Sequence, residues 1–186
     1  MIASDLFSKE EIAALKGYLL HNLNLAPSSM DLYAHAFLHS SKTSGLSDCK
    51  HLSNERLEFL GDSILNMWTT YELYHRYLSV AEGVLSKRKA VLVSAPVLSE
   101  VCRTLGLQDY LNLSDADFKI GSQDRESIQA NLVEALIGAI SLDSNMDMAH
   151  SFLQKHIYPH WDKWLKSTDL INYCLLYTSP SPRDSD

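Results

Sequence analysis

Residues 54 to about 77 set apolar and acidic side chains at helical spacing, and this run constrains the fold more than any other part of the chain. Leu57, Leu60, Ile64, Trp68 and Tyr71 recur every three or four residues, which predicts a helix packed along that face. Glu55, Glu58 and Asp62 fall mostly on another side. At 100° per residue, Glu58 and Asp62 lie about 40° apart and Glu55 about 60° from Glu58. Like charges stacked this way cost a helix roughly 0.2–0.5 kcal/mol per pair, a repulsion that a divalent cation would relieve.

Helical periodicity dominates the remainder. Ser8 with Glu11 makes a capping-box pattern ahead of Ile12, Leu15, Leu19 and Leu23, predicting a helix to about residue 23. Pro27-Ser28-Ser29 breaks the chain before a short helix at 30–38, and the polar, Ser-rich residues 40–53 read as a loop. A helix at 82–92 carries Lys87-Arg88-Lys89, equally suited to a solvated face or to RNA contact. The next begins with Ser94 as cap and Pro96 in the first turn, and ends at Gly106. Residues 108–126 read as irregular, 127–142 as an apolar helix and 146–166 as a final amphipathic one. With no strand pattern and no repeat, the expected fold is all-α. Residues 169–186 change character, with two Ser-Pro pairs and no periodicity, so 1–166 reads as the domain and 167–186 as a disordered or non-native tail.

Composition matters at three points. A net charge of -7 and a pI of about 5.5 argue against a nucleic-acid surface unless bound cations offset the acids locally. Cys49, Cys102 and Cys174 form no CxxC pair and read as free thiols in a reducing compartment. No apolar run approaches the roughly 20 residues of a membrane span, and the start lacks a signal-peptide pattern, so the expectation is a cytoplasmic protein with no membrane partner.

A second cluster sits in the 127–142 helix. Asn131 and Glu134 share one face, while Leu132, Val133, Leu136, Ala139 and Ile140 centre on the other. A carboxylate in so apolar a helix needs a cation or other partner, since burying it alone costs several kcal/mol. A structural salt bridge from Glu134 to Arg56 or Lys89 is the plainer alternative. Gly61 flanks Glu58 and Gly138 flanks Glu134, which would let the two helices approach closely. The two faces are therefore expected to meet and pool Glu58, Asp62, Asn131 and Glu134. Such a set of oxygen donors suits Mg²⁺ or Mn²⁺ and hydrolysis of a phosphate backbone.

Asn54-Glu-Arg-Leu-Glu-Phe-Leu-Gly-Asp-Ser63 resembles the signature of the ribonuclease III family. Leu38-His39-Ser40-Ser41 resembles an early T-H-x-S stretch with Leu for Thr. Glu82-Gly83-Val84-Leu85-Ser86 and Glu134-Ala-Leu-Ile-Gly-Ala-Ile-Ser-Leu-Asp143 continue the likeness, which covers most of residues 8–160. The resemblance implies the helical fold of that family's endonuclease domain. It also implies an endoribonuclease that cuts double-stranded RNA as a homodimer and leaves 5′-phosphate and 3′-hydroxyl ends, with Mg²⁺ as cofactor and Mn²⁺ as substitute. Ribosomal RNA precursors are the expected substrate. By the same resemblance Glu58, Asn131 and Glu134 would hold metal, Asp62 and Glu134 would be catalytic, and Glu55 and Glu82 would be auxiliary acids.

Three departures follow. Asn131 stands where the family most often has Asp, which predicts a retuned site. The 114–126 linker holds Lys119 and Arg125 against Asp115, Asp117, Asp124 and Glu126, an acidic balance for a segment expected near RNA. The chain's length leaves no room for the double-stranded-RNA-binding domain of full-length bacterial enzymes, so weak, salt-dependent RNA affinity is expected. A non-catalytic RNA-binding or ribosome-associated relative and a purely structural helical module are the competing readings. The spare apolar surface at Phe59, Met67 and Trp68 suits a dimer interface.

Overall fold

The structure is a computed structural model that describes residues 2–44, 46 and 50–167. The tail expectation for 167–186 therefore falls outside the described residues beyond Ser167. The order is α1 (Lys9–His21), α2 (Met30–Ala36), α3 (Ser40–Thr43), α4 (Glu55–Arg76) and α5 (Glu82–Leu92), then α6 (Ala95–Leu105), α7 (Asp115–Lys119), α8 (Glu126–Asp143), α9 (Met146–His156) and α10 (Trp161–Trp164). Short 3₁₀ turns join several of them. Among the described residues, extended pairing is confined to one parallel bridge between Leu38 and Asn112, so the all-α expectation holds.

The capping box at α1 forms as its spacing predicts. Glu11 N donates to Ser8 Oγ at 3.1 Å, and Ser8 N donates to the Glu11 carboxylate at 2.6 Å. Ser94 occupies the N-cap position of α6 but does not cap it; its hydroxyl donates to the Val91 carbonyl at 2.7 Å. Gly106 ends that helix at φ 73°, the left-handed conformation glycine adopts most cheaply.

Three expectations need correction. The 40–53 loop contains α3 and a 3₁₀ turn at Lys50–Leu52. The irregular 108–126 segment contains α7 and flanking 3₁₀ turns, held by Ser114, whose hydroxyl caps Asp117 N at 3.2 Å. The final helix is not continuous: α9 stops at His156, and Pro159, which has no amide hydrogen for a helical bond, sits in a 3₁₀ turn before α10.

Helix α8 is the axis of the core. It packs most extensively on α4, then on α6, α9 and α2. Ala135, Leu136, Ile137, Ala139 and Ile140 are all fully buried, so this helix is enclosed on nearly every side rather than on one face. At roughly 1.5–3 kcal/mol for each fully buried large aliphatic side chain, α8 is the main source of hydrophobic stabilisation in the domain.

Candidate active site

Two glycines set the site. A Cβ built on Gly61 would collide with the Glu134 carbonyl, and one on Gly138 would collide with the Leu57 carbonyl. Helices α4 and α8 therefore touch backbone to backbone at this crossing, as their glycine spacing predicts. The contact places the acids of α4 opposite Glu134 and Asn131 of α8.

The electrostatics report which acids feel one another's charge. Burial, then the Asp62 and Glu58 charges, push the Glu134 carboxyl up to about 8. Glu58 is also raised, by burial first and then by Glu55 and Asp62, while a hydrogen bond from Asn131 opposes the rise. Among the described residues Glu134 forms no ion pair, and neither Arg56 nor Lys89 approaches it to within salt-bridge distance. The structural salt-bridge alternative is thus overturned: the partners of this half-buried carboxylate are other carboxylates.

Asp62 is exposed, and Asn66 one turn along donates to its Oδ1 at 2.8 Å. Asn66 was missed from the sequence, although its i+4 spacing from Asp62 is a sufficient signal. Glu55 is exposed at the start of α4, within electrostatic reach of Glu58. Glu82 is exposed at the start of α5 and accepts a hydrogen bond from Ser86 at 2.6 Å. It is not among the acids that act on Glu58 or Glu134, so the structure does not bring it into this cluster.

Other expectations sort out as follows. Leu57 and Ile64 are buried and Leu60 is half-buried, whereas Tyr71 is 52% exposed and stands outside the packed face. Phe59 and Met67 are exposed, at 78% and 47%. Trp68 is not spare surface: it stacks on His150, ring centroids 3.9 Å apart, and His150 in turn meets Glu72 at 3.0 Å. In the basic run of α5, Arg88 lies over the Tyr77 ring at 4.0 Å and is structural, while Lys87 is solvated. Trp161 and Trp164 are core residues. Cys102 is a buried free thiol; Cys49 and Cys174 lie outside the described residues.

Among the described residues, no three His, Cys, Asp or Glu side chains converge closely enough to hold a metal by themselves. The donor chemistry nevertheless fits Mg²⁺ or Mn²⁺. These ions take hard oxygen donors, and Mg²⁺ commonly uses one or two carboxylates with waters and phosphate oxygens. Glu58 and Glu134 supply two carboxylates whose mutual repulsion no cation among the described residues offsets.

A family model described as ribonuclease-III-like matches residues 29–161. The chain belongs to the ribonuclease III family. It is 36% identical over 155 residues to Ribonuclease 3 of Fusobacterium nucleatum, covering 83% of this chain and 66% of that protein. To Ribonuclease 3 of Pasteurella multocida it is 44% identical over 126 residues, covering 68% of this chain and 53% of the relative. The chain thus spans between about half and two thirds of the length of these two relatives. Among solved structures it resembles the ribonuclease III nuclease domain of Campylobacter jejuni, with a TM-score of 0.70 and 33% identity over 76% of this chain and 97% of that one. That structure is described as flexible in its region involved in dimer formation.

Proposed function

We propose that this chain is a ribonuclease III nuclease domain that hydrolyses phosphodiester bonds of double-stranded RNA. The observation that carries the reading is the α4–α8 crossing, which sets Glu134 against Asp62 and Glu58 with no protein cation to balance them. Glu58, Glu134 and the Asn131 amide would hold a divalent ion, Mg²⁺ or Mn²⁺. When bound, such an ion neutralises the carboxylates and draws charge from a phosphate oxygen.

The remaining work falls to the chain's own side chains. Asp62, exposed and oriented by Asn66, positions an attacking water and accepts its proton. Attack at phosphorus breaks the bond to the 3′-oxygen, which takes a proton from solvent, and leaves a 5′-phosphate and a 3′-hydroxyl. Asn131 supports Glu58 by hydrogen bonding without adding another negative charge. Glu55 and Glu82 serve as outlying acids along the RNA path. The expected role is RNA processing, with ribosomal precursors as the substrate class, in the cytoplasm; no described helix is long and apolar enough to cross a membrane.

Phe59 and Met67, with Tyr74 at 65% exposure, lie along one side of α4 and suit a homodimer contact. Phe59→Glu should convert a dimer to a monomer in sedimentation. A wild-type monomer at micromolar concentration would remove this part of the reading.

The deciding experiment is cleavage of a long RNA duplex at low salt with Mg²⁺ or Mn²⁺. Asp62→Ala should lower the rate roughly 10²–10⁴-fold, and Glu134→Gln should abolish metal-dependent cleavage. Absence of cleavage by the folded wild type with either ion would favour the non-catalytic relative, the reading that Asn131 supports.

A further inference from the structure

We infer that an open cavity beside the first turn of α4 reads a ribose 2′-hydroxyl of the RNA strand, with His39 donating and Glu55 accepting. This rests on the duplex-RNA reading above and names one determinant of it. The cavity measures about 340 Å³, within the size range of small-molecule sites. Its walls include His39, Ser40, Ser41, Thr43, Ser44 and Glu55.

His39 precedes α3, and its Nδ1 accepts from the Ser41 backbone N–H at 3.2 Å. A ring nitrogen that accepts from an amide carries no proton, so the neutral ring bears its hydrogen on Nε2. Burial holds His39 below the usual histidine range, which keeps the ring neutral. Ser41 Oγ, 2.9 Å from Nδ1, also accepts from Ser114 N at 3.0 Å, so the ring orientation is tied to the segment before α7. Among the described residues nothing accepts from the Nε2 hydrogen. Glu55 faces both ways: its charge acts on His39 and on Glu58. The cavity therefore adjoins the acidic cluster about one helical turn away, roughly 5 Å, a distance comparable to the step to a neighbouring nucleotide.

The wall chemistry selects the ligand. Among the described residues no Lys or Arg lines the cavity and Glu55 does, which disfavours a phosphate. Among the described residues His39 is the sole ring in the wall, which disfavours a base that needs a stacking platform. A hydroxyl both donates and accepts, so it satisfies Glu55 and the Nε2 hydrogen together, with serine hydroxyls beside them. The 2′-hydroxyl is the group that separates RNA from DNA.

The test is single-turnover cleavage of an RNA duplex whose riboses are replaced singly by 2′-deoxyribose along one strand. Wild type should lose roughly 10–100-fold at one position near the cut, the worth of the two hydrogen bonds the hydroxyl makes. His39→Asn keeps an oxygen acceptor at the cap but lacks Nε2–H. It should lose roughly tenfold on the all-ribose duplex, and the deoxyribose loss at that position should shrink to the share carried by Glu55. Should His39→Asn fail to fold, Glu55→Ala, which removes the acceptor, makes the same comparison. Cleavage that persists with independent, multiplying losses overturns the subsite alone. Failure of wild type to bind or cut any RNA duplex overturns the nuclease reading and the subsite with it.

Discussion

Glu100 and Glu134 are both partly buried carboxylates on core helices, and the domain treats them in opposite ways. Burial alone would raise Glu100, but Lys163 and the Trp164 indole donate to it at 2.5 and 3.1 Å and hold its carboxyl below the usual range. Among the described residues Glu134 has only Asp62 and Glu58 for electrostatic partners, and its carboxyl rises to about 8. A carboxylate that serves the fold is given donors. One held against like charges lowers stability, and such an arrangement persists where it does chemical work.

The largest effect should come from the crossing that creates the contrast. Gly61→Ala or Gly138→Ala forces a methyl into a backbone carbonyl and should cost upwards of about 3 kcal/mol in urea unfolding. Stability retained within about 1 kcal/mol would mean that the helices can separate cheaply.

Glu134→Gln removes the charge while keeping the shape. In chelator at pH 8 it should raise stability by roughly 2–3 kcal/mol, since each unit of pKa shift is worth about 1.4 kcal/mol. Mg²⁺ should then stabilise wild type more than the variant.

The pH profile sharpens the same point. The folded pKa of Glu134 lies above the unfolded value, so the native state holds a proton that the unfolded chain releases first. Its contribution is fully present below about pH 4.5 and is lost as pH rises to about 8. Metal-free melting temperature should therefore fall across that window, and Glu134→Gln should flatten the fall. Glu100 has the opposite sign: its contribution is present at neutral pH and is lost as pH drops through the carboxylate range.

Lys163→Ala should have the smallest effect, about 0.5 kcal/mol, because the Lys163 side chain is 67% exposed and solvent screens the pair. A loss above about 2 kcal/mol would mean that the partner of Glu100 matters more than exposed pairs usually do.

Much of the fold was legible because its determinants are local. The α1 capping box, the Gly106 stop and the 3.6-residue stripes of α4 and α8 each sit within a few residues of sequence. The break after His156 was not read, although Pro159 signalled it, because the apolar stripe continues through Trp161 and Trp164. Glu58, Asp62, Asn131 and Glu134 were legible as a set because the glycine beside each acidic face announced a close crossing. Trp68 was read both in the packed stripe of α4 and as spare surface; the packed reading holds, because His150 covers it from another helix. His39 was passed over for a similar reason: its tie to Ser114 and its nearness to Glu55 arise only when distant segments fold together.

The sequence by itself determined that this chain is helical, which helices carry acids, and where two of those helices can touch. These follow from periodicity, capping and the absence of a side chain at Gly61 and Gly138. Only the tertiary structure decided that Glu134 lacks a cation while Glu100 has one, that Glu82 stands apart from the cluster, and that a cavity opens between His39 and Glu55. Burial and charge pairing depend on distances between segments far apart in the chain, and these arise only when the helices pack.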